Sequence, residues 1–178
     1  MPLVKNGGIV ADPFLRIGDD DVLPADDRAI LLSAARFPIE AKALMGRDAP
    51  FGVIWPNDRS LDELLPYLDR LSVIALVFPS FRDGRAYSQA RLLRERHHYR
   101  GELRATGQVL RDQFSFLHRA GFDAYDVSKP ADADAFGEAL RRYSVVYQRA
   151  ADGRKVAFDL RQDREPKSPA HETKQSVS

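Results

Sequence analysis

Apolar and polar residues follow one another along the chain in blocks that predict strands, each leading into a helix. The clearest strand is Ser72–Phe78, a continuous apolar run, and Phe51–Trp55 is a second such run that ends at a proline. Continuous apolar runs are typical of parallel strands that are covered on both faces. Ala29–Phe37, Glu102–Thr106 and Phe122–Val127 complete a set of five predicted strands.

The segments between these strands have apolar residues at helical spacing. Pro38–Gly46 begins with a proline at the first helical position, which favours a helix start. A helix with Ser60 as its N-cap has leucines at 61, 64, 65, 68 and 71 on one face, although Pro66 interrupts it. Three further helices are predicted at Arg85 to about Arg100, Val109–Ala120 with Gly121 as the C-terminal stop, and Ala131–Tyr143.

Five strand–helix units with short connections predict an α/β fold. Right-handed crossovers between such units give a mostly parallel sheet of about five strands, flanked by helices in three layers. An incomplete βα barrel is the alternative, because Glu102, Arg104 and Thr106 would place polar side chains on one face of a buried strand. A barrel interior tolerates such residues better than an open sheet does.

The predicted domain occupies residues 29–147. Residues 1–28 are interpreted as an N-terminal extension with a possible hairpin, and residues 148–160 as an extended or hairpin segment. Residues 161–178 contain almost no apolar side chain, which predicts a disordered tail.

Composition narrows the class of protein. The 178 residues are 44% hydrophobic and 30% charged, which is typical of one folded, water-soluble domain. Neither a signal peptide nor an apolar run long enough to span a membrane is present, so a cytoplasmic location is expected. The net charge of +1 does not favour nucleic-acid binding. The absence of cysteine excludes disulfides, thiol nucleophiles and thiolate metal sites.

Arginine is concentrated between Phe78 and Gln113, where eight arginines, four acids and no lysine occur. Arginine suits forked hydrogen bonding to oxyanions. In parallel sheets, ligands bind beyond the carboxyl ends of the strands, and two polar turns, Pro79–Gln89 and Thr106–Gln113, follow predicted strands. If those strands are neighbours, the turns form one anion site. The candidate anion-binding residues are Arg82, Arg85, Tyr87, Ser88, Gln89, Arg104, Arg111, Asp112 and Gln113.

A structural role is the alternative for part of this segment. Arg91, Arg94 and Arg96 can coat a solvated helix, while Asp83 and Asp112 can pair with nearby arginines. His97 and His98 are adjacent and point to different sides of a helix, so no metal site is expected. No glycine-rich nucleotide fingerprint follows a strand, and no cofactor is expected.

Several short segments resemble one bacterial family. These are Gly84–Glu95 (GRAYSQARLLRE), Gly101–Ala105 (GELRA), Asp112-Gln113 and Gly121-Phe122. Together they resemble the family of unknown function numbered nine-three-four, over roughly residues 29–147. The resemblance implies a gene neighbourhood with assimilatory sulfite reductase and the label of an oxidoreductase without an established activity. Members usually carry cysteine before the Gly-Phe pair, where this chain has Ala120, so a mechanism using that thiol is excluded here.

The sequence and the resemblance together give a functional hypothesis. The chain is expected to be an accessory protein of assimilatory sulfate or sulfite reduction, which binds a small oxyanion or docks on sulfite reductase or another protein of that pathway. The alternative is an oxidoreductase that acts on a sulfur metabolite with an electron carrier supplied by a partner. The sequence leaves open whether the chain is catalytic, which anion it binds and its oligomeric state.

Overall fold

The computed structural model describes residues 1–131 and 134. The extended or hairpin segment predicted at residues 148–160 and the tail predicted at residues 161–178 lie outside these residues. So does the helix predicted at residues 131–143, apart from residues 131 and 134.

In the part of the chain that the structure describes, eight strands form a single sheet. They are Leu3–Lys5 (β1), Gly8–Val10 (β2), Leu15–Ile17 (β3), Ile30–Ser33 (β4), Phe51–Pro56 (β5), Leu71–Phe78 (β6), Glu102–Gly107 (β7) and Ala124–Asp126 (β8). Their order across the sheet is β2-β1-β8-β7-β6-β5-β4-β3. The six strands from β3 to β8 are parallel, and β1 is antiparallel to both β8 and β2.

The prediction of about five strands is wrong. The five predicted strands correspond to β4, β5, β6, β7 and β8, and the other three lie within the first 28 residues. Each of these three strands has only three residues, which is too short for an alternating pattern to be recognised. The hairpin of β1 and β2, which turns at Asn6 and Gly7, both with positive φ, joins the sheet alongside β8.

Among residues 1–131 and 134, three α-helices and three 3₁₀ turns connect the strands. The helices are Phe37–Leu44 (α1), Arg85–Arg91 (α2) and Phe114–Ala120 (α3), and a π-helical turn, Leu92–Arg96, extends α2. The 3₁₀ turns are Leu61–Glu63, Leu65–Tyr67 and Arg111–Gln113. Gly121 ends α3 with φ of 105°, as its predicted role as the C-terminal stop requires. No described helix is long and apolar enough to cross a lipid bilayer.

The helix predicted from Ser60 is replaced by two 3₁₀ turns. Pro66 lies in the second turn, and Leu71 is the first residue of β6. The Ser60 side chain accepts a hydrogen bond from the Asp62 N–H at 3.2 Å, while Glu63 pairs with Arg59 and not with the backbone of Ser60. The leucine spacing therefore reflects packing against the sheet through Leu61 and Leu64, and not a continuous helix.

The described helices pack on one face of the sheet. Buried residues of α1, α2 and α3 join the core formed by alternate strand residues such as Trp55, Leu76 and Phe78. The predicted arrangement of helices on both faces is therefore not seen in the described part of the chain. The opposite face holds a smaller buried cluster of Leu31, Val73 and Ala75, against which Phe14 packs.

The sheet is curled with this second face inside. Arg16 of β3 forms an ion pair with Asp126 of β8, although five strand spacings separate β3 from β8. A flat sheet would place these strands about 24 Å apart, which is farther than an arginine side chain reaches. The chain is thus an α/β protein whose sheet forms a half-barrel, in agreement with the alternative prediction of an incomplete barrel.

Candidate functional site

The two polar turns meet at the carboxyl edge of the sheet because β6 and β7 are parallel neighbours, with Phe78 opposite Gly107. The Phe81 N–H donates to Gln108 Oε1 at 3.4 Å, and Gln113 Nε2 donates to the Phe81 carbonyl at 3.1 Å. The assumption that these strands are adjacent, on which the predicted site depends, is confirmed.

Gly107 allows the close approach of the two turns. Its φ is +90°, and a Cβ there would lie 2.4 Å from the Phe78 carbonyl oxygen. The next residue, Gln108, donates its N–H to the same carbonyl at 2.8 Å. Only glycine has both the backbone conformation and the small size that this position requires.

Arg85 is already paired within its own turn. Its guanidinium contacts the Asp83 carboxylate through Nε at 3.0 Å and through Nη2 at 2.7 Å. The hydrogen bond from Arg85 holds the pKa of Asp83 well below its usual range. Because Asp83 neutralises this charge, Arg85 is a weaker anion ligand than the sequence suggests.

Tyr87 lies in the first polar turn, as the third residue of α2. Its ring packs edge-on against Phe78 at a centroid distance of 5.2 Å. Burial, together with the charge of Asp112, raises the pKa of Tyr87 to about 12. The hydroxyl is therefore protonated at neutral pH.

Gln89 ties α2 to the loop that follows β5. It is buried, and its Nε2 donates to the Arg59 carbonyl at 3.0 Å and to the Pro56 carbonyl at 3.3 Å. Ser88, one residue earlier, is exposed. Gln89 therefore positions the helix, and its donor hydrogens are committed to the protein backbone.

Arg104 does not lie with the other candidates. Its alternation with Glu102 and Thr106 directs it onto the concave face, three residues before β7 ends, where its side chain is fully buried. Its Nη1 and Nη2 contact both oxygens of Asp12 at 2.6 and 3.1 Å, and its Nε donates to Glu102 at 3.0 Å. Burial alone would lower the pKa of Arg104, but these two acids raise it. The structure therefore assigns Arg104 to the half-barrel interior.

Sequence reasoning missed two apolar residues at the same edge. Phe81 and Leu110 keep 46% and 42% of their surface exposed, although each stands in a turn where polar residues are usual. Gln113 connects them, because its Oε1 accepts from the Leu110 N–H at 3.3 Å while its Nε2 bonds to Phe81. A large apolar residue directly before an arginine in both turns, Phe81-Arg82 and Leu110-Arg111, is the signal that could have found them.

We call Phe81, Arg82, Leu110 and Arg111 the carboxyl-edge patch. The Arg82 guanidinium lies 5.3 Å from the centre of the Phe81 ring, in a cation–π contact. Arg111 is exposed. Within the described residues, neither arginine forms an ion pair with a carboxylate. The patch thus combines exposed apolar surface with two arginines that have no acidic partner there.

Two of the helix arginines outside the patch, Arg91 and Arg94, have structural contacts. Arg91 pairs with Glu95 on the surface of α2 at 3.2 Å. Arg94 donates to the Gly121 carbonyl at 3.0 Å and forms an ion pair with Asp123. Among residues 1–131 and 134, no three histidine or acidic side chains gather as metal ligands would.

A family described as bacterial protein of unknown function (DUF934) matches residues 52–158, which include β5 except Phe51, β6 to β8 and both turns of the carboxyl-edge patch. No curated protein matches the sequence. The match covers more than half of the 178 residues and confirms the resemblance seen in the sequence motifs. The chain belongs to the DUF934 family.

Proposed function

We propose that this chain is an accessory protein of assimilatory sulfite reduction that docks on sulfite reductase, or on another protein of that pathway, through the carboxyl-edge patch. The observation that carries the docking role is that Phe81 and Leu110 are both exposed at one edge of the sheet, with Arg82 and Arg111 next to them in the sequence. The pathway comes from the gene neighbourhood that the family resemblance implies.

The composition of the patch favours a protein partner. Interface centres are enriched in aromatic residues and arginine, and a few such residues contribute most of the binding energy. We expect the partner to carry acidic residues opposite the two arginines, because complementary charge raises the rate of association and fixes the orientation of the complex. Gln113 holds the backbones of Phe81 and Leu110 together, so the apolar centre of the patch is preorganised.

Binding of a small oxyanion at this edge is the weaker form of the same proposal. Of the candidate arginines, Arg104 is buried against two acids and Arg85 is paired with Asp83. Arg82 and Arg111 remain as cations for an anion such as sulfite. The third interpretation, an oxidoreductase with a carrier supplied by a partner, stays a prediction.

The docking proposal is tested by measuring the affinity of the purified chain for sulfite reductase at fixed ionic strength. Single changes Phe81→Ala and Arg82→Glu are each expected to weaken binding about tenfold or more. Arg96→Glu is the matched control, because Arg96 is an exposed arginine at the far end of the helix that begins at Arg85. Equal loss in the control, or no binding by the wild-type chain, would reject docking on this enzyme.

Two further measurements separate the alternatives. Sulfite or sulfate added at constant ionic strength is expected to leave the complex intact, whereas displacement of the partner would favour the small-anion form. A strain that lacks this chain is expected to grow more slowly on sulfate than on cysteine, and the Phe81→Ala variant is expected not to restore growth. Equal growth on both sulfur sources would remove the pathway from the proposal.

A further inference from the structure

We propose that the opposite, amino edge of the sheet carries a second binding site, for a small phosphate monoester that has a hydroxyl group near its phosphate. A cleft of about 300 Å³ opens beside the first residues of β7 and is lined by Lys5, Arg100, Glu102 and Asp123, among others. An adjoining cleft of about 350 Å³ shares Arg100 and Asp123 with it. Clefts of this volume accommodate small ligands.

The acid nearest to Lys5 is bonded to two cations. Glu102 Oε2 accepts from Lys5 Nζ at 2.8 Å, and Glu102 Oε1 lies 2.9 Å from Arg104 Nη2. Lys5 nevertheless lines the cleft, and 40% of its side chain is exposed. Its ammonium group has three donors, of which Glu102 takes one, so it keeps donors for a ligand.

Asp123 uses one of its two carboxylate oxygens for contacts within the protein. Its Oδ2 accepts from the Leu103 N–H at 2.9 Å and from Arg94, whereas its Oδ1 accepts no hydrogen bond from a described residue. Because 44% of the Asp123 side chain is exposed, Oδ1 is available to a donor in the cleft.

Arg100 supplies a cation that is unpaired within the described residues. It is exposed, it lines both clefts, and no described residue accepts a hydrogen bond from its guanidinium. An arginine fork can bind two oxygens of one phosphate group at once.

The loop that presents Arg100 is held in one conformation. Arg94 Nη1 donates to the Tyr99 carbonyl at 2.5 Å and to the Gly101 carbonyl at 2.9 Å. The Tyr99 hydroxyl donates to the Leu71 carbonyl at 3.0 Å, in the space that a Cβ on Gly101 would occupy. His98 has φ of 53°, in the left-handed region that few non-glycine residues adopt, although histidine does so more often than most.

These groups define the ligand. Lys5 shares the charge of Glu102 with Arg104, and Asp123 is paired with Arg94. Together with Arg100, which has no acidic partner among the described residues, this leaves positive charge in the cleft for the doubly charged phosphate group of a monoester. Asp123 Oδ1 accepts a hydrogen bond and therefore selects a ligand that carries a hydroxyl donor. Because the loop is already ordered, binding loses little conformational entropy there.

The test is a titration of the ¹⁵N-labelled full chain with glycerol phosphate, sulfate and glycerol, all at the same ionic strength. Glycerol phosphate is expected to shift the amide signals of Asn6 and of residues 98–101 in a saturable manner, and sulfate to bind about fivefold more weakly or worse. Absence of saturable shifts at these residues would overturn the site. Equal affinity for sulfate would overturn the selection by Asp123.

Two exposed arginines provide matched variants. Arg100→Ala is expected to weaken glycerol phosphate binding about tenfold or more, since a charge-assisted fork is lost. Arg96→Ala removes the same charge four residues away, outside both clefts, and is expected to bind as the wild type does. Unchanged melting temperatures confirm that both variants fold. The same loss in both variants would indicate non-specific attraction and overturn the proposal.

Docking at the carboxyl edge is tested by changes at Phe81 and Arg82, which lie outside both clefts. Either proposal can therefore fail while the other stands.

Discussion

Arg16 and Asp126 form an ion pair across the inside of the curled sheet, although they belong to strands five places apart. Asp126 is 1% exposed, and its Oδ1 has no hydrogen-bond partner among the described residues, whereas Arg16 keeps 42% of its side chain exposed. The carboxylate is therefore the member of the pair that cannot return to water. This asymmetry determines how much stability the fold should lose when either residue of the ion pair is replaced.

Arg16→Ala is expected to destabilise the fold more than Asp126→Asn does. Removal of Arg16 leaves a buried carboxylate unpaired, at a cost of about 2 to 4 kcal/mol, somewhat below that of a fully buried pair. Asp126→Asn leaves a neutral amide and lets Arg16 turn into solvent, at a cost of no more than about 1 to 2 kcal/mol. Urea unfolding of both variants measures the difference. Equal costs would contradict this asymmetry between the buried carboxylate and the exposed arginine.

The parts of this fold that the sequence predicted are those set by local patterns. β5 and β6 are long apolar runs, α1 begins near Pro38 and α3 ends at Gly121. The neighbouring turns of β6 and β7 were predicted because short βα connections place consecutive parallel strands side by side.

The errors came from contacts that are distant in the sequence. Arg104 was assigned to the strand end, but its role depends on Asp12, 92 residues earlier, which no local pattern connects to it. The curl of the sheet, which the alternative prediction of an incomplete barrel anticipated, brings Arg16 to Asp126, 110 residues later. Phe81 and Leu110 were missed because the exposure of an apolar side chain is a property of the folded surface and not of a periodic sequence.

Arg104→Ala is expected to reduce stability by about 3 to 5 kcal/mol, because it removes a buried cation that Asp12 and Glu102 both contact. Chemical denaturation measures the loss, and Arg96→Ala, an exposed change, should stay within about 0.5 kcal/mol of the wild type. A variant that keeps full stability but loses its partner or anion would restore Arg104 to the functional site.

The Asp12–Arg104 pair should also make stability depend on acid pH. Burial acts to raise the pKa of Asp12, but hydrogen bonds from Arg104 and from the Phe14 N–H leave it below its usual value of 3.8. The unfolded chain then binds a proton more readily than the folded one, so stability is lost as pH falls from about 4 through the lower folded-state pKa.

Replacing Asp12 by Asn is the test of this dependence. The variant is expected to lose less stability between pH 5 and pH 2 than the wild type does, as measured by urea unfolding across that range. Asp48→Asn is the control, since Asp48 is exposed and has no partner among the described residues. The same slope in the wild type and in Asp12→Asn would contradict the assignment.

Gly107→Ala is expected to affect both stability and the carboxyl-edge patch. Alanine at φ of +90° is strained, and its Cβ would lie 2.4 Å from the Phe78 carbonyl oxygen, so the turn from residue 107 to residue 113 must move. We expect a loss of about 2 kcal/mol or more. Because Gln113 in this turn holds Phe81 and Leu110 together, partner binding should weaken even where the variant remains folded.

Gly84→Ala is the matched control for this change in the neighbouring turn. Gly84 has φ of −84°, and a Cβ there would lie 3.9 Å from the nearest atom, in the Tyr87 ring. The substitution should cost no more than about 1 kcal/mol and leave partner affinity unchanged. Thermal unfolding and affinity measured on the same preparations separate the two effects. If Gly107→Ala were destabilised yet bound its partner as tightly as Gly84→Ala does, the alignment of the two turns would not be what presents the patch.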